Sequence, residues 1–409
     1  MGNKDSKHDH PDSDSIPPTQ SQSNTRRHSE FEAAYQVWSD RHGGINKESL
    51  EGIFGPILGS KLWRYSGLAE GKNASMADLE SKFIPLLLGN SNDVFLRMMA
   101  AEDTCFKAGD ITDMVHVCRA CSGVEFNAAT DEKMLSAIVV ASTSGSEKID
   151  LDQLSNWIAT TCPRLLSSLK RTVSNGLRTA TTHCDKWVGP KSGLLSPMKI
   201  WLIQCCIPSY LIKPEAASPS EYLSDASDSP LCAVWDLLYS SEEDGLSPNR
   251  FENKVFNYRS PTVMVAETFS NEMYCFCSDE EWKLSTQRYG KSGCAIYQLY
   301  PRLELLESGG VSGMVLFNTK QRGLPQGLFI GSNPKRPHLS IDADFSNVRS
   351  IEVWGCGSPG SYQAQQSQRQ WEKRQIEKQQ KVPLPGNWED SPDRMLLEMA
   401  GIKTQHAEK

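Results

Sequence analysis

At 409 residues, with 38% apolar and 23% charged residues, the chain is long enough for two or three globular domains with ordinary cores. A formal charge of −7 argues against a phosphate-binding face, so nucleic acid is not an expected partner. The twelve cysteines are scattered and the first thirty residues hold no apolar signal segment, so the thiols are expected to be reduced, in a cytosolic setting. The most apolar stretch, 200–212, contains Gln204, Pro208 and Ser209 and falls short of the roughly twenty residues a spanning helix needs. A buried helix is expected there.

The amino terminus reads Met1-Gly2-Asn3-Lys4-Asp5-Ser6, which fits the pattern for N-myristoylation with Gly2 as acceptor. Residues 1–29 are otherwise Asp, His, Ser, Pro, Gln and Lys around a single Ile16, a composition expected to form a disordered tether. One myristoyl chain holds a protein on a membrane only marginally, with an association constant of about 10⁴ M⁻¹. Lys4, Lys7, Arg26 and Arg27 are diluted by four aspartates, so a second contact is expected from a protein on that membrane.

Residues 30–170 carry apolar positions at three- and four-residue spacing, as in Phe31, Ala34, Tyr35 and Trp38, which predicts an all-α amino-terminal half. Polar turns lead into single aliphatic residues at Ile45, Met76, Ile111 and Ile149, each followed by a helix. That spacing suits paired helix-loop-helix units of the EF-hand type, in which loop position 8 pairs the loops and a Glu at position 12 clamps calcium. Counting from Ile45, Ile111 and Ile149 places Ser49, Val115 and Gln153 at position 12. The loop around Met76 places Glu80 there, but Ala69, Gly71 and Asn73 fill positions 1, 3 and 5. The units therefore read as degenerate, and a weak calcium-responsive regulator is the alternative they leave open.

Residues 171–230 are broken by Pro190, Pro197, Pro208 and Pro214 into short helices, with 218–229 as a linker. From 231 to 357 short apolar runs alternate with turns: 262–267, 274–277, 295–299, 314–318, 328–330 and 351–354. Their β-branched and aromatic content predicts strands. No nucleophile elbow, phosphate loop or metal-ligand cluster accompanies them, so no catalytic or cofactor residue is expected and recognition is the expected chemistry. Cys275 and Cys277 share one face of a strand, and with Cys294 and Cys356 they are the residues a redox role in oxidative-stress resistance would use.

Three features of this region resemble the TLDc family: Leu237-Leu238-Tyr239-Ser240 through Asp244-Gly245-Leu246-Ser247; Phe276 through Trp282-Lys283 with Tyr289-Gly290; and Glu352-Val353-Trp354-Gly355 after Asp344-Phe345. The chain departs from the family at Cys275-Phe276-Cys277-Ser278, where Phe-Gly-Gly or Phe-Gly-Ala is usual. The resemblance implies an α+β domain, an antiparallel β-sandwich flanked by helices. It also implies no established catalytic residues, links to oxidative-stress resistance, and association with peripheral subunits of the V-ATPase. The order of acylation motif, helical half, TLDc region and tail resembles that of family members placed at the lysosome and linked to mTOR signalling. That likeness implies a non-enzymatic adaptor on the cytoplasmic face of the lysosomal membrane and in the cytoplasm, partnered by V-ATPase peripheral subunits and mTOR signalling components.

Residues 358–409 are expected to be a helical tail. Residues 362–381 are dominated by Gln, Lys, Arg and Glu, which predicts a polar projecting helix with Trp371 and Ile376 as anchors. Trp388 is a further expected partner contact, and after it Ser391-Pro392-Asp393 begins a second helix with Met395, Met399 and Ile402 at i, i+4 and i+7. That spacing is a docking face for the protein's own core or for a partner's groove.

Overall fold

The computed structural model describes residues 20–401 except 89–90, 101–104, 183–186, 188, 213–234, 291, 310–312, 381–395 and 398. The first half comprises α1 (Gln20–His42), α2 (Lys47–Phe54), α3 (Pro56–Ser66), α4 (Met76–Leu88), α5 (Asn92–Met99), β1 (Cys105–Lys107), α6 (Ala108–Cys121), α7 (Ala128–Thr143), β2 (Lys148–Asp150), α8 (Leu151–Thr161), α9 (Ser167–Thr179) and α10 (Pro197–Cys206). The second comprises β3 (Asp236–Ser240), α11 (Ser241–Asp244), α12 (Pro248–Val255), β4 (Thr262–Thr268), β5 (Met273–Ser278), β6 (Ala295–Tyr300), β7 (Glu304–Ser308), β8 (Val315–Asn318), β9 (Gly327–Ile330), β10 (Leu339–Asp342), β11 (Val348–Gly355) and α13 (Pro359–Gln380).

The first helix begins inside the stretch read as a tether. Arg26 and Glu30 pair one turn apart, and His28 Nδ1 lies 2.7 Å from Glu80 Oε1 on α4. These contacts anchor a segment whose composition alone is too polar to fold.

The helix-loop-helix units pair two by two, at the expected residues Ile45 and Ile149 and at unexpected ones in the other two loops. Ile45 bridges Ala74, and Phe106 lies opposite Ile149 in the β1–β2 ladder. Met76 instead opens α4, and Ile111 is buried on α6. One rule places all four bridging residues: each immediately precedes the residue that caps the next helix, namely Asn46, Ser75, Lys107 and Asp150. An extended residue at that point is what lets the chain enter the helix.

In the second half, antiparallel pairing gives a six-stranded sheet in the order β3-β11-β4-β5-β6-β7 and a three-stranded sheet in the order β10-β9-β8. Side chains alternate across the large sheet. Met264, Ala266, Phe276, Ile296 and Val353 face the small sheet and α12 in one core. Val263, Val265, Cys275, Cys277, Tyr297 and Trp354 face the other way and join the core of the helical half. Both faces are buried, which is why these strands read as unbroken apolar runs. Strands β3, β7 and β10 carry no such run and were not among those expected.

The cover for the second face is α10. Met198 and every residue from Ile200 to Cys206 are buried, so the helix is apolar all round and sits between the two halves. Its ends are satisfied by both neighbours. Ser196 caps its start and hydrogen-bonds Asp131 on α7; Arg164 donates to Gln204 O at 2.7–2.9 Å, and the Tyr297 hydroxyl donates to Cys206 O at 3.1 Å.

The motif that closes the large sheet holds the connector. Glu352 on β11 is 1% exposed, and its carboxylate accepts from Ser192 Oγ at 2.5 Å and from the backbone N–H groups of Gly193 and Leu194 at 3.1 Å each. Two residues on, Trp354 packs on Trp235 at 6.0 Å, and a Cβ at Gly355 would lie 2.4 Å from the Tyr258 ring. Replacing Glu352 by Ala would take the acceptor from the half-buried Ser192 hydroxyl and from the Gly193 amide, while the Leu194 amide keeps Ser192 Oγ, a cost of about 1–3 kcal/mol. Urea denaturation of Glu352→Ala is expected to show that loss, with the Leu237→Ala change on the neighbouring strand as a packing control.

Candidate functional site

Three places were candidates for function: the loops of the helical half, the cysteines of the large sheet and the carboxy-terminal arm. With the bridging residues at position 8, position 12 falls on Ser49, Asp78, Asp110 and Gln153. Each of these side chains accepts a hydrogen bond from the backbone N–H of its own helix cap, at 2.8, 3.0, 3.1 and 3.3 Å respectively. The atom that would clamp calcium is thus spent on capping. Asp110 also lies 3.5 Å from Lys61 Nζ, which is buried and 3.1 Å from Asp113, so a cation already sits at that loop. Glu80, placed at position 12 by the sequence count, faces His28 instead.

Cys275 and Cys277 do share a face of β5, as their spacing predicts, and both are fully buried against the helical half. Burial pushes the Cys277 and Cys356 thiols well up and the Cys294 thiol up to about 12. A reactive thiol needs the opposite shift, from a neighbouring cation or helix start. Among the described residues, no cation lowers the Cys277, Cys294 or Cys356 thiol.

The arm is built differently. Its root packs through Tyr362 on the sandwich core. One turn later Gln365, 1% exposed, donates its amide to Lys254 O at 3.1 Å and Phe256 O at 2.9 Å, and Arg369 donates to Phe256 O at 3.2 Å. These are carbonyls at the end of α12, which have no partner within their own helix. The arm therefore buries a polar face against its own domain, which its composition did not predict. Glu372 accepts from Asn257 at 3.3 Å, and from Trp371 onward the large apolar side chains of the arm face outward.

Trp371 is 55% exposed and Ile376 54% exposed. Five residues apart, they stand about 140° around the helix from one another and cannot enter one pocket together. Met399 is 85% exposed and Leu396, which the spacing argument did not single out, 64% exposed. Gly2, Trp388, Met395 and Ile402 lie outside the described residues. Among those described, no cluster of three His, Cys, Asp or Glu side chains could hold a metal ion, and no helix is long and apolar enough to cross a membrane.

Calcium titrated into the full chain by calorimetry is expected to give no saturable heat; a one-to-one isotherm would overturn the capping account. Gln365→Leu is expected to release the arm, so that limited proteolysis within 359–380 speeds up about tenfold while the melting temperature of the sandwich stays within a few degrees.

The profile of the TLDc domain matches residues 219–381, the span from the connector to the end of the arm helix. Restriction of telomere capping protein 5 from Kluyveromyces lactis is 25% identical over 256 residues, covering 41% of this chain and 44% of that protein. Its counterpart from Meyerozyma guilliermondii is 27% identical over 247 residues, covering 41% and 42%. The MTOR-associated protein MEAK7 of Xenopus laevis is 24% identical over 149 residues, covering 30% and 32%. The chain matches less than half the length of each of these relatives. The sandwich, its motifs and this match agree that residues 219–381 carry a TLDc domain.

Proposed function

We propose that the protein is a non-enzymatic adaptor on the cytoplasmic face of the lysosomal membrane, where it binds peripheral subunits of the V-ATPase and influences mTOR signalling. The observation that carries the reading is the arm: a helix fixed at its root to the TLDc domain by polar contacts, with Trp371 and Ile376 turned outward. Exposed large apolar side chains on a projecting element are what a protein partner uses as anchors. The relative named as MTOR-associated supports the signalling part, and the family resemblance supports the V-ATPase. Acylation at Gly2 supplies one membrane contact, and the pump supplies the second that a single acyl chain needs.

Affinity capture from lysosomal membranes tests this directly. Full-length protein is expected to recover V-ATPase subunits, and protein lacking residues 358–409 to lose most of them; equal recovery would move the contact to the TLDc sandwich. Gly2→Ala is expected to shift the protein to the soluble fraction without changing its melting temperature.

A further inference from the structure

The helical half contains an apolar cavity of about 580 Å³ that none of the contacts above uses. It lies between the corner joining α2 to α3 and the last turns of α6, and is lined by Ile53, Phe54, Ile57, Val117, Ala120 and Phe126. Its size falls within the roughly 300–1,000 Å³ of small-molecule pockets. Gly176 on α9 underlies it: a Cβ there would come within 2.3 Å of the Phe54 ring, so only glycine lets that ring lie back and leave the space open. The corner is fixed from the other side by Thr182, whose hydroxyl donates to Ile53 O at 2.6 Å.

Two basic side chains line the cavity, His116 and Arg119, and both pack on the Phe126 ring. His116 packs edge-on to Phe126 at 4.8 Å, and burial, followed by the nearby Arg119 guanidinium, holds its imidazole below the usual range. Arg119 lies over the same ring at 5.6 Å and donates to Val124 O. Ile57, at the mouth, is 43% exposed.

We infer that this cavity receives the acyl chain carried by Gly2 of the same molecule. The inference rests on the acylation in the reading above. Reach allows it: residues 3–19 span up to about 55 Å at roughly 3.3 Å each. Trp38, whose ring meets Phe54 at 6.1 Å, lies eighteen residues along α1 from Gln20, about 27 Å at 1.5 Å per residue. Shape favours a chain over a helix. A docking helix needs anchors at i, i+3, i+4 and i+7 along an extended groove, and this cavity is bounded by one short corner and 116–121 of α6. A tether of this length gives an effective concentration on the order of millimolar, so a cavity that bound myristoyl as tightly as a membrane does, at about 10⁴ M⁻¹, would hold the chain in roughly tenfold excess over its released form. Sequestration in the cavity would thus hold the protein off bilayers until a partner or membrane draws the chain out.

The test uses the full chain in unacylated and enzymatically myristoylated forms. Ala120→Trp fills the cavity from an exposed position and Ile57→Asp charges its mouth, and both are expected to keep the wild-type melting temperature. Unacylated protein is expected to bind free myristate with one-to-one stoichiometry, at least tenfold more weakly in either variant. Myristoylated Ala120→Trp is expected to partition onto phosphatidylcholine vesicles at least fivefold more than myristoylated wild type. Equal myristate affinity in wild type and variants, or equal partitioning, would overturn the assignment. Tighter myristate binding after deletion of 358–409 would give the cavity to the carboxy-terminal segment and overturn it too. Mass spectrometry of Gly2 from cells judges the membrane anchor separately: unmodified Gly2 defeats the anchor, while the myristate titration still reads the cavity.

Discussion

The six-stranded sheet is apolar on both faces, and each face must be covered. One cover comes from the domain itself, as the small sheet and α12. The other is borrowed from the helical half through α10, a helix with no polar side to show to water. Burying both faces brings the two halves into one continuous core, so the limits of the family match are not limits of folding. Residues 192–207, which precede the matched span, supply the partners for Glu352 and the lid over Cys275, Cys277 and Tyr297.

Such a join carries buried polar groups, and three of them are answered by a group from the opposite side. Glu352 from the sheet answers amides of the connector; Tyr297 answers the last carbonyl turn of α10; Arg164 from the helical half answers the same turn. Groups of this kind add little net stability when satisfied and cost much when orphaned. They act on register, because a displaced α10 would leave several of them without partners at once.

Much of the fold was legible because the physics was local. Short apolar runs with β-branched and aromatic content marked β4, β5, β6 and β11, and three- and four-residue spacing marked the helices. Where tertiary contacts decided, the signal vanished: α1 extends into a polar stretch whose His28 meets Glu80, fifty-two residues away, and β7 and β10 are held by pairing rather than composition. The register of two loops was not legible, because an aliphatic side chain does not by itself mark the bridging place. Position relative to the helix cap decided it, so that Ala74 and Phe106 fill the bridging places. Of the candidate site, Trp371 and Ile376 were readable as apolar residues in a polar helix. Gln365 was not, since nothing in a glutamine marks which carbonyls it will meet.

That glutamine gives the arm a particular mechanical character. Downstream of Tyr362 the joint is made of amide and guanidinium contacts to carbonyls at the end of α12, with no apolar seal. Water can replace each of those donors at small cost. The aromatic root then behaves as a hinge and the polar turn as a latch, and the arm can swing clear of its domain without baring a surface that would aggregate.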